Sequence, residues 1–314
     1  MEKERLIDNY GREIRSLRFS ITNRCNLNCI YCHAEGENVD VGRQKELIRA
    51  ELVIAIARVA SAHFEIREVK FSGGEPLMRA DLADIVRGIK DFEDEISVTT
   101  NGTLLSRYAA DLADAGMDRV NVSMDSIKEE RYDFITASTG NLPAVIDGIY
   151  TAIDAGLTPL KLNTVLLKGI NEDEIYELID FVRACNRRGG GGVVILQLIE
   201  LIPSFKHAVQ NYKADFFEIE AELKSRSSAI KTRRLQHRRK YFVDGVEVEV
   251  VHPVDNTEFC ANCSRLRITS DGQIKPCLLR NDNLVPIERV DEGHIISRLK
   301  LAMKYREPFF HSFC

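Results

Sequence analysis

The stretch Cys25-Asn-Leu-Asn-Cys29-Ile-Tyr-Cys32 limits what this chain can become more than any other. It is a Cys-x3-Cys-x2-Cys array placed just after the apolar run Leu17-Arg-Phe-Ser-Ile21. Three thiolates this close can each take one iron of a cubane cluster. No fourth protein ligand lies nearby, so one iron stays open. Electron-transfer clusters usually take four cysteines, whereas an open iron can hold a reactant. The competing reading is a structural zinc knuckle. Zinc closes a tetrahedral shell with four ligands, and its cysteines usually pair as Cys-x2-Cys. His33 could supply a fourth ligand, but it adjoins Cys32 and would strain the shell.

Composition decides what those thiols are for. The chain opens Met1-Glu-Lys-Glu-Arg-Leu, with mixed charges and no apolar core of a secretion signal. No apolar run approaches the ~20 residues that cross a bilayer. A cytoplasmic protein is expected, and there the eight cysteines read as metal ligands rather than as a disulfide framework. Six of them fall into two groups of three, which leaves Cys185 and Cys314 as ordinary thiols. The formal net charge of −5 and a pI of about 5.9 give no case for a nucleic-acid or membrane partner. A length of 314 residues leaves room for one large domain and a smaller one.

From about residue 14 to 202, short β-rich runs alternate with amphipathic segments. Strands are expected at Leu17–Ile21, Glu68–Ser72, Ile96–Thr100, Arg119–Met124, Leu160–Leu166 and Val193–Leu201. Helices are expected at Glu46–Ser61, Ala80–Phe92, Leu104–Ala115, Pro143–Ala155 and Asp173–Asn186, with Gly116 and Gly156 marking two helix ends. Strands alternating with helices imply an α/β fold built on a parallel sheet with right-handed crossovers. An open, partial (β/α)6 barrel over residues 1–202 fits best. A doubly wound open sheet satisfies the same alternation. Residues 203–314 then form a linker and a small C-terminal domain.

The strands have an unusual face. Residues i and i+2 of a strand share a side, and on that side stand Arg18 and Ser20, Lys70 and Ser72, Asn121 and Ser123, Lys161 and Asn163. A closed barrel fills its interior with branched apolar side chains, so this polar face predicts a wet, ligand-holding cavity. The many bases of Lys231–Lys240 read as solvated strand faces, followed by a hairpin turning at Asp244-Gly245. Arg187-Arg-Gly-Gly-Gly-Gly192 reads as a flexible connection. It lacks the order of a phosphate loop.

Two further motifs join the cysteine array. Phe71-Ser-Gly-Gly-Glu-Pro76 ends the second strand. Its glycines let the backbone approach a ligand, and Glu75 can accept hydrogen bonds from an ammonium group. The other motif is Cys260-Ala-Asn-Cys263-x13-Cys277, a second trio whose intervening hairpin turns at Asp271-Gly272 and folds Cys277 back beside its partners. A second open cubane and a structural zinc are both open readings of it. Arg265 and Arg267 point the same way from one strand, and guanidinium forks suit phosphate oxygens.

The first array and the Gly-Gly-Glu-Pro motif resemble the radical S-adenosylmethionine (SAM) superfamily. With the second trio and Arg-Leu-Arg just after Cys263, the chain from about Leu17 to Arg280 resembles the GTP 3′,8-cyclases of molybdenum-cofactor biosynthesis. That resemblance implies two [4Fe-4S] clusters, on Cys25, Cys29 and Cys32 and on Cys260, Cys263 and Cys277. It implies SAM contacts from Tyr31, Gly73, Gly74, Glu75, Ser123 and Ile202. Arg18, Arg265 and Arg267 would bind the triphosphate of GTP, and Lys70, Thr100 and Lys161 would also touch GTP. The implied reaction is reductive SAM cleavage to a 5′-deoxyadenosyl radical, which starts cyclisation of GTP to 3′,8-cyclo-7,8-dihydro-GTP. A reductant and hand-off to cyclic pyranopterin monophosphate synthase follow from the same resemblance. Two positions depart from it. Lys70 stands where many relatives have arginine, and the chain ends Pro308-Phe-Phe-His-Ser-Phe-Cys314 where many carry a Gly-Gly tail.

Overall fold

The computed structural model describes residues 4–37, 47–188, 194–202, 207–254 and 256–307. Glu46, Val193, the four glycines 189–192, Pro203 and the tail from Pro308 with Cys314 lie outside the described residues. Strand β1 (Ser16–Ser20) leads into the first cysteine loop, and α1 (Ala50–Phe64) follows. Next come β2 (Glu68–Ser72), α2 (Leu82–Ile89), β3 (Glu95–Thr100), α3 (Leu105–Ala115) and β4 (Arg119–Ser123). Helices α4 (Glu129–Thr136) and α5 (Leu142–Asp154) precede β5 (Leu160–Leu166). Helix α6 (Ile175–Arg188) and β6 (Val194–Glu200) complete the repeating part.

Beyond it lie α7 (Phe216–Arg226), β7 (Ala229–Thr232), β8 (Arg239–Val243) and β9 (Val246–Val251). Then follow α8 (Thr257–Ala261), β10 (Arg265–Ile268), β11 (Gln273–Lys275), β12 (Val285–Pro286) and α9 (Glu292–Lys304).

Strands β1 to β6 lie side by side in chain order, each parallel to the next. A doubly wound sheet would reverse its order part-way, so the alternative topology is ruled out by the strand order itself. The later strands extend the same sheet at both edges. On one side β10 pairs parallel with β1 and continues into β11 and β12, while on the other β9 pairs parallel with β6 and continues into β8 and β7. None of the pairings among the described residues joins β12 to β7, so the curved sheet stays open, as expected for a partial barrel.

Period-2 alternation decides what each face meets. Leu17, Phe19, Val69, Phe71, Val98, Val120, Val122, Leu162 and Leu196 are all buried. They pack against apolar helix faces such as Val53, Ile56, Ala57 and Ala60 of α1. The polar residues form the opposite face, and the register makes them continuous. Arg18 lies beside Lys70 on β2 and beside Arg267 on β10. Lys161 pairs with Asn121, and Asn163 with Ser123 and Gln197. Sequence reading had no element at α4, whose charged start conceals a buried face of Tyr132, Ile135 and Thr136.

Candidate active site

The polar face encloses a cavity of about 380 Å³, and all six cysteines of the two trios line it. So do Arg18, Tyr31, Lys70, Gly73, Gly74, Thr100, Ser123, Lys161, Ile202, Arg265 and Arg267. Of the expected site residues only Glu75 stands apart. Ten arginines and lysines face the cavity against five acids. A wall so biased towards cations recruits polyanions.

At one end sits the loop after β1. Gly74 and Glu75 donate their N–H groups to Thr22 O and Arg24 O, both at 2.7 Å. A Cβ at Gly73 or Gly74 would lie 2.2 Å from those same carbonyls, so the close approach requires glycine at both positions. Glu75 is wholly buried behind this wall. Its carboxylate accepts from Thr100 Oγ1 and Asn101 N, both at 2.7 Å, and from Leu77 N at 2.9 Å. Through these bonds Glu75 ties the end of β3 to the glycine turn. Asn28 and Ile30 donate to Thr136 O and Ile135 O, so α4 braces the cysteine loop. Tyr31 donates to Asp125 at 2.7 Å, and burial pushes the Asp125 carboxyl up to about 6. Asp125 lines the cavity and was not foreseen.

The thiols here have donors aimed at them. Leu27 N–H points at Cys25 Sγ and Ala34 N–H at Cys32 Sγ, each at 3.4 Å, with Asn101 Nδ2 3.9 Å from Cys25 Sγ. Such donors suit thiolates that carry charge to a metal. Among the described residues no three His, Cys, Asp or Glu side chains converge where a single ion would sit.

At the other end, Asn256 caps α8 by accepting from Phe259 N at 3.0 Å, which sets Cys260. The turn between β10 and β11 brings Cys277 back, as expected, and Gln236 Nε2 reaches Cys263 Sγ at 3.8 Å. Three residues from the chain ends clamp this trio, and sequence reading missed them. Asp8 accepts from Arg12 Nε at 2.8 Å and Arg306 Nη1 at 2.6 Å. Arg12 in turn donates to Cys260 O at 3.0 Å and Arg306 to Cys263 O at 2.5 Å. Burial opposes it, yet Arg306 and the nearby Arg265 and Arg267 hold the Cys263 thiol below its ordinary value.

Asp8 and Arg306 side chains are 0% and 1% exposed. Asp8→Ala would strand two guanidinium groups, so a loss of about 3–5 kcal/mol is expected in urea unfolding. A loss under about 1 kcal/mol would contradict the clamp.

Between the ends runs the cation wall. Glu249, 0% exposed, pairs with Lys161, with Arg238 at 3.1 Å and with Arg233 at 3.5 Å. Burial opposes ionisation, but these three cations hold its carboxyl well below the usual range. Burial pushes Lys161 down to about 8 even with Glu249 beside it. Arg233 and Arg238 therefore correct the solvated reading of Lys231–Lys240: they point inward, while Arg239 pairs at the surface with Glu220.

Lys70 and Arg265 differ from their neighbours. Among the described residues neither has an acidic partner, and Arg265 Nε has no hydrogen bond. Burial, then the surrounding cations, push both well below their ordinary ranges. A guanidinium does not shed its proton, so this arrangement is an unmet demand for an anion.

Comparison with known proteins gives a consistent result. Residues 19–182 match the Radical SAM superfamily, and residues 194–311 match Molybdenum Cofactor Synthesis C. A protein of Methanocella arvoryzae described as a probable GTP 3′,8-cyclase is 49% identical over 307 residues, covering 98% of this chain and 95% of its own. Another so described, from Methanosarcina mazei, is 50% identical over 312 residues, covering 98% and 91%. Streptococcus suis SuiB bound to S-adenosylmethionine aligns with a TM-score of 0.65 at 17% identity, covering 84% of this chain and 60% of SuiB. For anSMEcpe with bound AdoMet the TM-score is 0.57 at 16% identity, covering 90% and 79%. These two likenesses concern the fold alone.

Proposed function

The chain belongs to the radical SAM superfamily and, within it, to the GTP 3′,8-cyclases, and on that premise we propose that it converts GTP to 3′,8-cyclo-7,8-dihydro-GTP in molybdenum-cofactor biosynthesis. The observation that carries this reading is the single cavity shared by two cysteine trios with a cation wall between them.

Membership implies a [4Fe-4S] cluster and SAM. The residues fit: Cys25, Cys29 and Cys32 would hold the first cluster, and Cys260, Cys263 and Cys277 a second. A cluster held by the first trio would supply the electron for reductive cleavage of SAM, and the 5′-deoxyadenosyl radical so released would take hydrogen from C3′ of GTP. Tyr31, Gly73, Gly74, Ser123 and Ile202 line the SAM end. Arg18, Lys70, Arg265 and Arg267 take the triphosphate, with Thr100 and Lys161 beside the nucleoside. Holding GTP at its triphosphate and at its base fixes C3′ against the radical source, the main contribution a protein makes to such chemistry.

Residues 1–202 would thus hold SAM and share GTP through Arg18, Lys70, Thr100 and Lys161, while residues 203–314 add Arg265 and Arg267, and both parts contribute to one sheet. Among the described residues no helix is long and apolar enough to cross a membrane. A cytoplasmic location, an external reductant and hand-off to cyclic pyranopterin monophosphate synthase complete the proposal. The test is to supply reconstituted protein with SAM, reductant and GTP deuterated at C3′. One deuterium in the recovered 5′-deoxyadenosine is expected; unlabelled 5′-deoxyadenosine alongside consumed GTP would overturn the assignment of C3′.

A further inference from the structure

Directly after Cys32 the backbone does something costly. Ala34, Glu35 and Gly36 follow one another with φ of 48°, 54° and 70°. Two non-glycine residues in the left-handed region persist only where their surroundings over-determine them. The surroundings here are specific. Glu37 accepts from Ser270 N at 2.9 Å and Ser270 Oγ at 2.5 Å. A Cβ at Gly36 would lie 2.1 Å from Leu278 O, so the loop presses against the residue following Cys277. The strained turn delivers one side chain into the cation wall. Glu35 bridges Arg18 Nη2 at 2.5 Å and Arg267 Nη1 at 3.0 Å.

Those two arginines are directly paired in register on β1 and β10. Two like charges on adjacent strands repel, and the Glu35 carboxylate relieves that repulsion. Burial works against it, but Arg18 and Arg267 hold its carboxyl down to about 2, so it is anionic at any working pH. Lys70 stands beside Arg18 in the register, and Arg265 leads into the same row; among the described residues neither makes a close ion pair with an acid. Of the five acids facing the cavity, Glu35 is the one that bridges Arg18 and Arg267.

We propose that Glu35 is a displaceable counter-ion, occupying the polyphosphate site while it is empty and giving way to the incoming triphosphate. It keeps Arg18 and Arg267 oriented and apart from each other's charge until substrate arrives. A triphosphate reaching for Lys70 and Arg265 also needs the two donors that Glu35 holds, and two anions do not share them. Glu35 is a positioning residue in this role and does not touch the reacting atoms.

This inference rests on the triphosphate reading of the cavity, and its test separates the two. Inorganic tripolyphosphate and GTP are titrated calorimetrically into the cluster-loaded wild-type protein, Glu35→Gln and Glu35→Asp. Removal of a competing anion from two charge-assisted bonds should tighten tripolyphosphate binding to Glu35→Gln about tenfold. Glu35→Asp, which keeps the charge on a shorter arm, should lie between. Unchanged or weaker binding to Glu35→Gln, with wild type still binding both anions, overturns the counter-ion role and leaves the substrate assignment standing. Absence of tripolyphosphate and GTP binding in all three proteins overturns both.

Discussion

Cys29→Ala is expected to abolish SAM cleavage and to remove the iron proposed for the first trio, leaving the iron proposed for the second. The reason is stoichiometric. On the proposed ligand set each thiolate of the first trio would serve one iron and leave the fourth for SAM, so no spare ligand would replace a lost one. Cys29 also sits at the turn where Cys32 N donates to its carbonyl at 3.1 Å, between residues that α4 holds in place. The loop therefore has no slack to bring another donor. Cys185→Ala is the control. Cys185 is buried on α6 away from the cavity, so that change costs about 1 kcal/mol of stability and leaves iron content and SAM cleavage as they were. Iron analysis, electron paramagnetic resonance and 5′-deoxyadenosine formation check all three statements. Full iron loading with normal SAM cleavage in Cys29→Ala would remove the first trio from the mechanism.

Arg265→Ala weakens GTP binding by about 10²-fold with both clusters intact, the loss of charge-assisted hydrogen bonds worth about 1.5–3 kcal/mol each. Arg267→Ala has a smaller effect, about tenfold, because part of that guanidinium is already committed to Glu35. The asymmetry does not follow from sequence, where the two arginines look equivalent. A second effect has the opposite sign. Arg265 is a half-buried cation crowded by other cations and without a close acidic partner among the described residues, so its removal raises the unfolding temperature of the nucleotide-free protein. Functional groups held ready for a ligand commonly lower stability in this way. Calorimetric titration with GTP and thermal unfolding without it measure the two effects on one sample. Equal losses for both arginines, or a lowered unfolding temperature in Arg265→Ala, would contradict the unpaired state of Arg265.

Local spacing made much of this legible. The cysteine trios, the glycines of Gly73 and Gly74, and the paired Arg265 and Arg267 all lie close in sequence, and ligand chemistry fixes their separation. The polar strand faces followed from a period of two, and the β/α alternation implied a parallel sheet. Partners that meet through distant pairing were not readable. Asp8 meets Arg306 across 298 positions, Glu35 meets Arg267 across 232 and Lys161 meets Glu249 across 88. Each depends on where β9 and β10 join the sheet, and nothing local specifies that both edges of one sheet are extended by the C-terminal part. Arg233 and Arg238 were assigned to solvent for the same reason, since Glu249 draws them inward only after β9 pairs with β6. Glu75 shows a different limit. Its motif was plain in the sequence, but which side of the cavity wall its carboxylate faces depends on Thr100 and Asn101.

The central claim is that two cysteine trios and a cation wall serve one reaction on GTP. Anaerobic turnover of the reconstituted protein with SAM and dithionite, with and without GTP, tests it most directly, with products followed by mass spectrometry. The account predicts 5′-deoxyadenosine formed in step with a cyclised isomer of GTP. Slow SAM cleavage indifferent to GTP, with the nucleotide recovered unchanged, would contradict it.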